Sequence, residues 1–91
     1  MIRMVKVIDL INTTHDFHIL GGVSSFDDFV WLINVYKPKV IFREHETESE
    51  REYDKYVDVD WFTYYMDLGN GTFVSYSVRD HDIRDKLEKI L

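Results

Sequence analysis

The alternation of apolar and polar positions divides the chain into short strands and two helices. Apolar residues occupy both odd-numbered and even-numbered positions of segment 3–11, which predicts a strand covered on both faces. The polar triplet at 12–14 favours a turn, and segment 17–20 is a candidate second strand that ends at two glycines. These two strands are the first two elements in the predicted order.

The clearest helical pattern follows Ser25, which can cap a helix, with Asp28 placed as in a capping box. Pro38 ends the pattern, because a proline disfavours helical geometry in the residue before it. One face is apolar at helical spacing, and much of the remainder is apolar too, through Trp31, Leu32, Val35 and Tyr36. A 91-residue monomer offers little to bury such a helix all round, so these four residues are the predicted self-association surface of a homodimer.

The segment 39–43 is typical of a third strand, and the acidic stretch at about 44–56 after it predicts either a mobile loop or a short helix. Alternation returns from residue 56, and Gly69-Asn70-Gly71 predicts a hairpin turn because these residues tolerate positive φ. The pattern leaves open which face of the 56–78 hairpin is buried. On the return strand of the hairpin, the alternation predicts three inward-pointing side chains: Val74, Tyr76 and Val78.

The last segment predicts a helix that Asp80 caps, with an apolar stripe on one side. The predicted fold is α+β, a single domain over residues 1–91. It has an antiparallel or mixed sheet of about five strands in the order β-β-α-β-β-β-α, with two helices packed on it.

Charge and composition narrow the classes of function. The net charge is −6, and residues 43–60 contribute −5 through eight acids and three bases. Clustered Lys and Arg are absent, so direct nucleic-acid binding is not expected. The sequence has no cysteine, no leader pattern and no apolar run long enough for a membrane span, which predicts a cytoplasmic protein that does not bind membranes.

Catalytic and metal-binding patterns are weak. His15 and His18 lie three residues apart, which on an extended segment turns them to opposite faces and spoils a metal site. Asp58 and Asp60 lie two apart, and on a strand they would share a face, where paired carboxylates can raise each other's pKa. No nucleophile or base partner accompanies them. The sequence therefore predicts no catalytic residue, no metal site and no cofactor.

The favoured function is a non-catalytic protein-interaction module, a small acidic adaptor or inhibitor that binds a basic protein. Its size and composition would suit an accessory protein of a phage or mobile element. The predicted partner-binding residues combine the acidic stretch with two aromatic residues of the hairpin: Glu44, Glu46, Glu48, Glu50, Glu52, Asp54, Asp58, Asp60, Trp61 and Tyr64.

Two alternatives belong to other classes of function. An aromatic-lined pocket could bind or sequester a nucleotide, with Arg43, Arg79 or Arg84 meeting its phosphate. The less favoured alternative is a metal-dependent hydrolase that uses His15, His18 and the aspartates.

Overall fold

A computed structural model describes residues 5–11, 17–79 and 81–91, apart from the side chain of Asp82. The elements are β1 (Lys6–Asp9), β2 (His18–Val23), α1 (Phe26–Tyr36), β3 (Val40–Glu52), β4 (Lys55–Asp67), β5 (Thr72–Val78) and α2 (His81–Ile90). This is the predicted order, and the α+β class is confirmed. The predicted turn at 12–14, His15 and the predicted cap Asp80 lie outside the described residues.

The five strands form one mixed sheet in the order β1-β3-β4-β5-β2. Strands β3, β4 and β5 are antiparallel, whereas β1 and β2 pair in parallel at the two edges. The first strand is a four-residue edge strand, in which Val7 and Ile8 point to opposite faces and are each half-buried. The second strand differs from the prediction, since it continues through its two glycines to Val23.

The two helices pack on one face of the sheet, called here the helix face, and the opposite side is the open face. Phe29 of α1 stacks on Tyr76 at 5.0 Å between ring centroids and lies 6.3 Å from the ring of Tyr64. The predicted inward side of β5 is confirmed, because Val74, Tyr76 and Val78 are all buried. The core consists of Phe29, Ile33, Ile41, Phe62, Tyr64, Met66, Val74, Tyr76, Val78 and Leu87.

Both ends of α1 follow the sequence signals. The Ser25 hydroxyl accepts a hydrogen bond from the backbone N–H of Asp28 at 3.1 Å, which confirms the predicted cap. The helix ends at Tyr36, and Lys37 adopts a left-handed conformation with φ of 49° while its N–H donates to the carbonyl of Ile33. A side chain at such a position is disfavoured relative to glycine.

The predicted loop or short helix over residues 44–56 is wrong. The acidic stretch is the outer half of β3, which pairs with β4 from Ile41 to Glu52 without a register shift. A two-residue turn, Tyr53 and Asp54, joins the two strands. The Glu-x-Glu-x-Glu spacing therefore matches the two-residue repeat of a strand, which places these glutamates on one face.

A cluster of four aromatic residues covers the part of the open face that lies over the core. Phe17 stacks on Phe73 at 4.2 Å between ring centroids and also contacts the rings of Phe42 and Tyr65. Aromatic side chains each bury a large apolar area when they pack together. The central sheet is therefore packed on both faces, by helices on one and by aromatic rings on the other.

The left-handed residue after α1 gives a stability prediction. Lys37→Gly should raise the free energy of unfolding by about 1 kcal/mol, because glycine carries no Cβ penalty at positive φ. Urea denaturation measures the change. Lys39→Gly removes the same charge from a residue outside the left-handed region and should destabilise the fold slightly. A loss of stability in Lys37→Gly would contradict the prediction.

Candidate binding surface on an acidic arm

The outer half of the β3–β4 hairpin extends beyond its neighbouring strands. Pairing with β1 ends at Arg43 and pairing with β5 ends at Phe62, so no described strand flanks residues 44–61. These residues are called here the arm. Each of the two strands has 13 residues, about 44 Å at the usual rise of a strand, and the longest dimension of the molecule is 45 Å. The hairpin therefore sets the length of the protein.

Five glutamates line the open face of the arm. They alternate along β3 and are Glu44, Glu46, Glu48, Glu50 and Glu52. Arg79 forms ion pairs with Glu50 at 3.2 Å and with Glu52 at 2.8 Å. Glu46 and Glu48 are exposed and form no ion pair within the described part of the chain. The centre of this row is thus an uncompensated negative surface.

The predicted acidic set is not one surface, because the register divides it. Asp58 and Asp60 lie on the helix face, opposite the glutamates, and Asp54 lies in the exposed turn. Trp61 lies on the open face beside Glu46, half-buried, and its indole N–H has no acceptor among the described residues. The structure therefore supports only the glutamates and Trp61 as parts of one surface.

The assignment of Tyr64 to a partner-binding surface is wrong. Its side chain is fully buried in the core, and its hydroxyl donates to Glu88 Oε1 at 3.1 Å. Burial raises the pKa of this phenol. Tyr64 points to the same face of β4 as Phe62 and Met66. The helices cover that face, so Tyr64 belongs to the core.

A carboxylate with two histidine partners lies at the base of the arm on the helix face. Asp60 Oδ1 is 2.9 Å from His45 Nε2, and Asp60 Oδ2 is 3.0 Å from His81 Nε2. The Thr47 hydroxyl donates to Oδ1 at 3.0 Å. Hydrogen bonds from His45, His81 and Thr47, in that order, lower the pKa of Asp60 from 3.8 to about 2.

The aromatic ring of Phe62 holds this cluster against α2. The His45 ring stacks on it at 4.6 Å between centroids, the His81 ring meets its edge, and the Arg84 guanidinium lies 4.8 Å from its centroid. These residues border a cavity of about 470 Å³. Because His81 is the first residue of α2, the cluster joins the helix to the arm.

The hypothesis of a paired carboxylate site is wrong. Paired acids would raise each other's pKa, whereas the pKa of Asp60 is lowered by its histidine and threonine partners. Asp58 instead accepts a hydrogen bond from the Ser49 hydroxyl at 3.0 Å. Within the described residues, no group of three His, Asp or Glu side chains is arranged to hold a metal ion. His15, one of the two metal candidates, is outside them.

Of the three arginines considered for a nucleotide phosphate, Arg43 and Arg84 border the same cavity, and Arg79 lies on the opposite face of the sheet. Arg79 pairs with glutamates on the open face, whereas Arg84 pairs with Asp85 on the helix face. Arg43 makes a bidentate contact with Asp9 at 2.6 and 2.9 Å and an ion pair with Glu88. These carboxylates raise the pKa of Arg43, which stays charged, and they compensate its positive charge. Each arginine therefore already has a carboxylate partner.

The predicted self-association residues divide into two kinds. Trp31, Val35 and Tyr36 are 62%, 50% and 45% exposed. Leu32 is half-buried and packs against the core, so it is less available to a partner than predicted. Self-association through α1 stays a prediction that rests on the three exposed side chains.

Comparison with protein-family models, with curated proteins and with solved structures finds no match to this chain. Among the described residues, neither helix has the length and apolar character that a membrane-spanning segment requires. The function must therefore be inferred from the arm and the cluster at its base.

The Asp60 cluster predicts how stability depends on pH. A carboxylate whose pKa falls to about 2 on folding stabilises the folded state above its ordinary pKa of 3.8. This stabilisation is lost as the pH falls from 4 to 2. Urea denaturation should show that Asp60→Asn is less stable than the wild type at pH 7, by a margin that shrinks at pH 2.

Asp54→Asn is the matched control, since it removes the same charge from the exposed turn without removing a histidine partner. It should lose stability in acid in parallel with the wild type. The same margin between Asp60→Asn and the wild type at every pH would contradict the role assigned to Asp60.

Proposed function

We propose that this protein is a non-catalytic binding module that holds a basic protein partner on the open face of its acidic arm. The observation that carries the proposal is the row of five glutamates on one face of β3, with Glu46 and Glu48 uncompensated at its centre. An adaptor or an inhibitor would both work in this way.

Charge and shape both support this function. Against the five glutamates, the same face carries the cations Lys55 and Arg79, which leaves it negative. A projecting surface of one sign steers a partner of the opposite sign and accelerates the encounter. Trp61 lies beside Glu46 and adds the kind of aromatic surface that is enriched at protein interfaces.

The other candidate functions have less support. A nucleotide site would need unpaired cations around its phosphate, but Arg43, Arg79 and Arg84 all have carboxylate partners. A hydrolase would need a nucleophile or a metal-bound water. The Asp60 cluster instead joins hydrogen-bonding side chains from β3, β4 and α2, which suits a structural role.

The proposal predicts binding that depends on both charge and salt. The protein partner captured at low salt should be basic, and its purified form should bind at least about tenfold more weakly to Glu46→Gln/Glu48→Gln than to the wild type. Added salt should weaken wild-type binding more steeply than variant binding, because fewer charges remain to be screened. Isothermal titration at several salt concentrations measures both effects.

Asp27→Asn/Asp28→Asn serves as the control. It removes two charges as well, from the first turn of α1 on the helix face. Its affinity for the partner should equal that of the wild type. If both double variants lost the same affinity for the partner, net charge alone would drive binding, and the arm would not be the binding surface.

We also propose that the chain forms a homodimer through the exposed side of α1. Trp31→Gln/Tyr36→Gln should shift the protein to a monomer in sedimentation equilibrium, because it removes the two large exposed aromatic residues of that helix. Ile90→Gln changes an exposed apolar residue of α2 and should leave the mass unchanged. A wild-type monomer at high concentration would contradict the proposal.

A further inference from the structure

The hydrogen bonds between β1 and β3 show which way the main chain of β3 faces. Lys6 N donates to the carbonyl of Lys39 at 2.9 Å, and Leu10 N donates to the carbonyl of Arg43 at 2.8 Å. The main-chain groups of odd-numbered residues in β3 therefore point towards β1. Even-numbered residues, which include the five glutamates, point theirs towards β4.

The same alternation continues along the arm, where β1 no longer flanks β3. The pairing with β4 has no register shift from Ile41 to Glu52, so the parity is kept. The backbone N–H and C=O groups of Thr47, Ser49 and Arg51 therefore face outward along an edge that no described strand occupies. All three residues are exposed.

A free strand edge accepts another extended chain by main-chain hydrogen bonding. Natural proteins often block such edges with proline or a bulge, and residues 46–52 of β3 contain neither. The glutamates discourage pairing with the same edge of a second copy, because five acids would then lie close to five others. The charge of this edge therefore selects a basic segment.

We propose that the partner docks as an extended basic segment that adds a strand to the β3 edge along residues 46–52. Main-chain hydrogen bonds would join it to Thr47, Ser49 and Arg51. A Lys or Arg at every second position of the segment meets the glutamate row on the open face. The inference rests on the proposed function, and it specifies the conformation and side-chain pattern of the partner.

The spacing of the arm fits this mode of recognition. An added strand lies about 4.8 Å from β3, within reach of a lysine or arginine side chain that projects from the same face. Glu46 and Glu48 are exposed and form no ion pair with described residues, so they can meet two successive cations of the segment. Side chains on alternate positions give specificity in strand addition.

Two peptides of equal composition test the inference. One alternates threonine and lysine over nine residues, so that all four lysines project from one face of a strand. Its isomer has the four lysines in succession and divides them between both faces. The alternating peptide should bind the wild-type protein at least about fivefold more tightly at low salt, as measured by NMR titration.

Hydrogen exchange locates the contact on the protein. Binding of the alternating peptide should slow exchange of the amide protons of Thr47, Ser49 and Arg51, which face the free edge. The amides of Glu46 and Glu48 already face β4 and should change little. This readout uses the unmodified chain, so it does not depend on whether a variant folds.

Ser49→Pro removes one edge donor and should abolish the preference for the alternating peptide. Ser49→Ala removes the same side-chain hydrogen bond to Asp58 but keeps the backbone N–H, and it should behave as the wild type does. Glu46→Gln/Glu48→Gln should weaken binding of both peptides, because it removes charge and leaves the edge intact.

The outcomes separate this inference from the proposed function. A preference for the alternating peptide with slowed exchange at the edge supports strand addition. Equal binding of the two peptides, with no change in exchange at the edge and a loss in Glu46→Gln/Glu48→Gln, overturns strand addition and leaves the acidic docking surface in place. Failure of the wild type to bind either peptide, or the basic partner captured at low salt, overturns both.

Discussion

The uninterrupted pairing of β3 with β4 is the constraint on which the other features depend. Because side chains alternate between faces along a strand, one register fixes the side of every residue from Ile41 to Glu52. It places the five glutamates on the open face and His45 on the helix face beside Asp60. A slip of one residue would bring the glutamates to the side where α2 packs. The segregation of charge is therefore a consequence of the register.

The order of elements could be predicted because each depends on local chemistry, such as the serine cap of α1 and the Gly-Asn-Gly turn before β5. The outer half of β3 could not be predicted from hydrophobic alternation, because both of its faces are polar. A signal was nevertheless present. Glutamate recurs at every second position from 44 to 52, opposite Val57, Val59 and Trp61 of β4. An alternating pattern of charged residues, like an alternating pattern of hydrophobic residues, indicates a strand.

The candidate site was less predictable, because it depends on contacts between distant residues. His45 and His81 are 36 positions apart. The register of β3 with β4 brings His45 to Asp60, and the packing of α2 against β4 brings His81 there. The choice of face for Tyr64 also needed tertiary information, since both parities of β4 are rich in aromatic residues. The glutamates of the surface could be named from the sequence, but not their separation from the aspartates, which required the register of β3.

A two-stranded ribbon is only marginally stable in water, so the arm needs support from the rest of the fold. The junction between β5 and α2 supplies it on both faces. On the open face, Arg79, which follows β5, forms ion pairs with Glu50 and Glu52 of β3. On the helix face, His81 binds Asp60. Exposed ion pairs are individually weak, but contacts on opposite faces restrict bending in both directions. A surface held in this way loses less conformational entropy when a partner binds, and binding can therefore be tight over a small area.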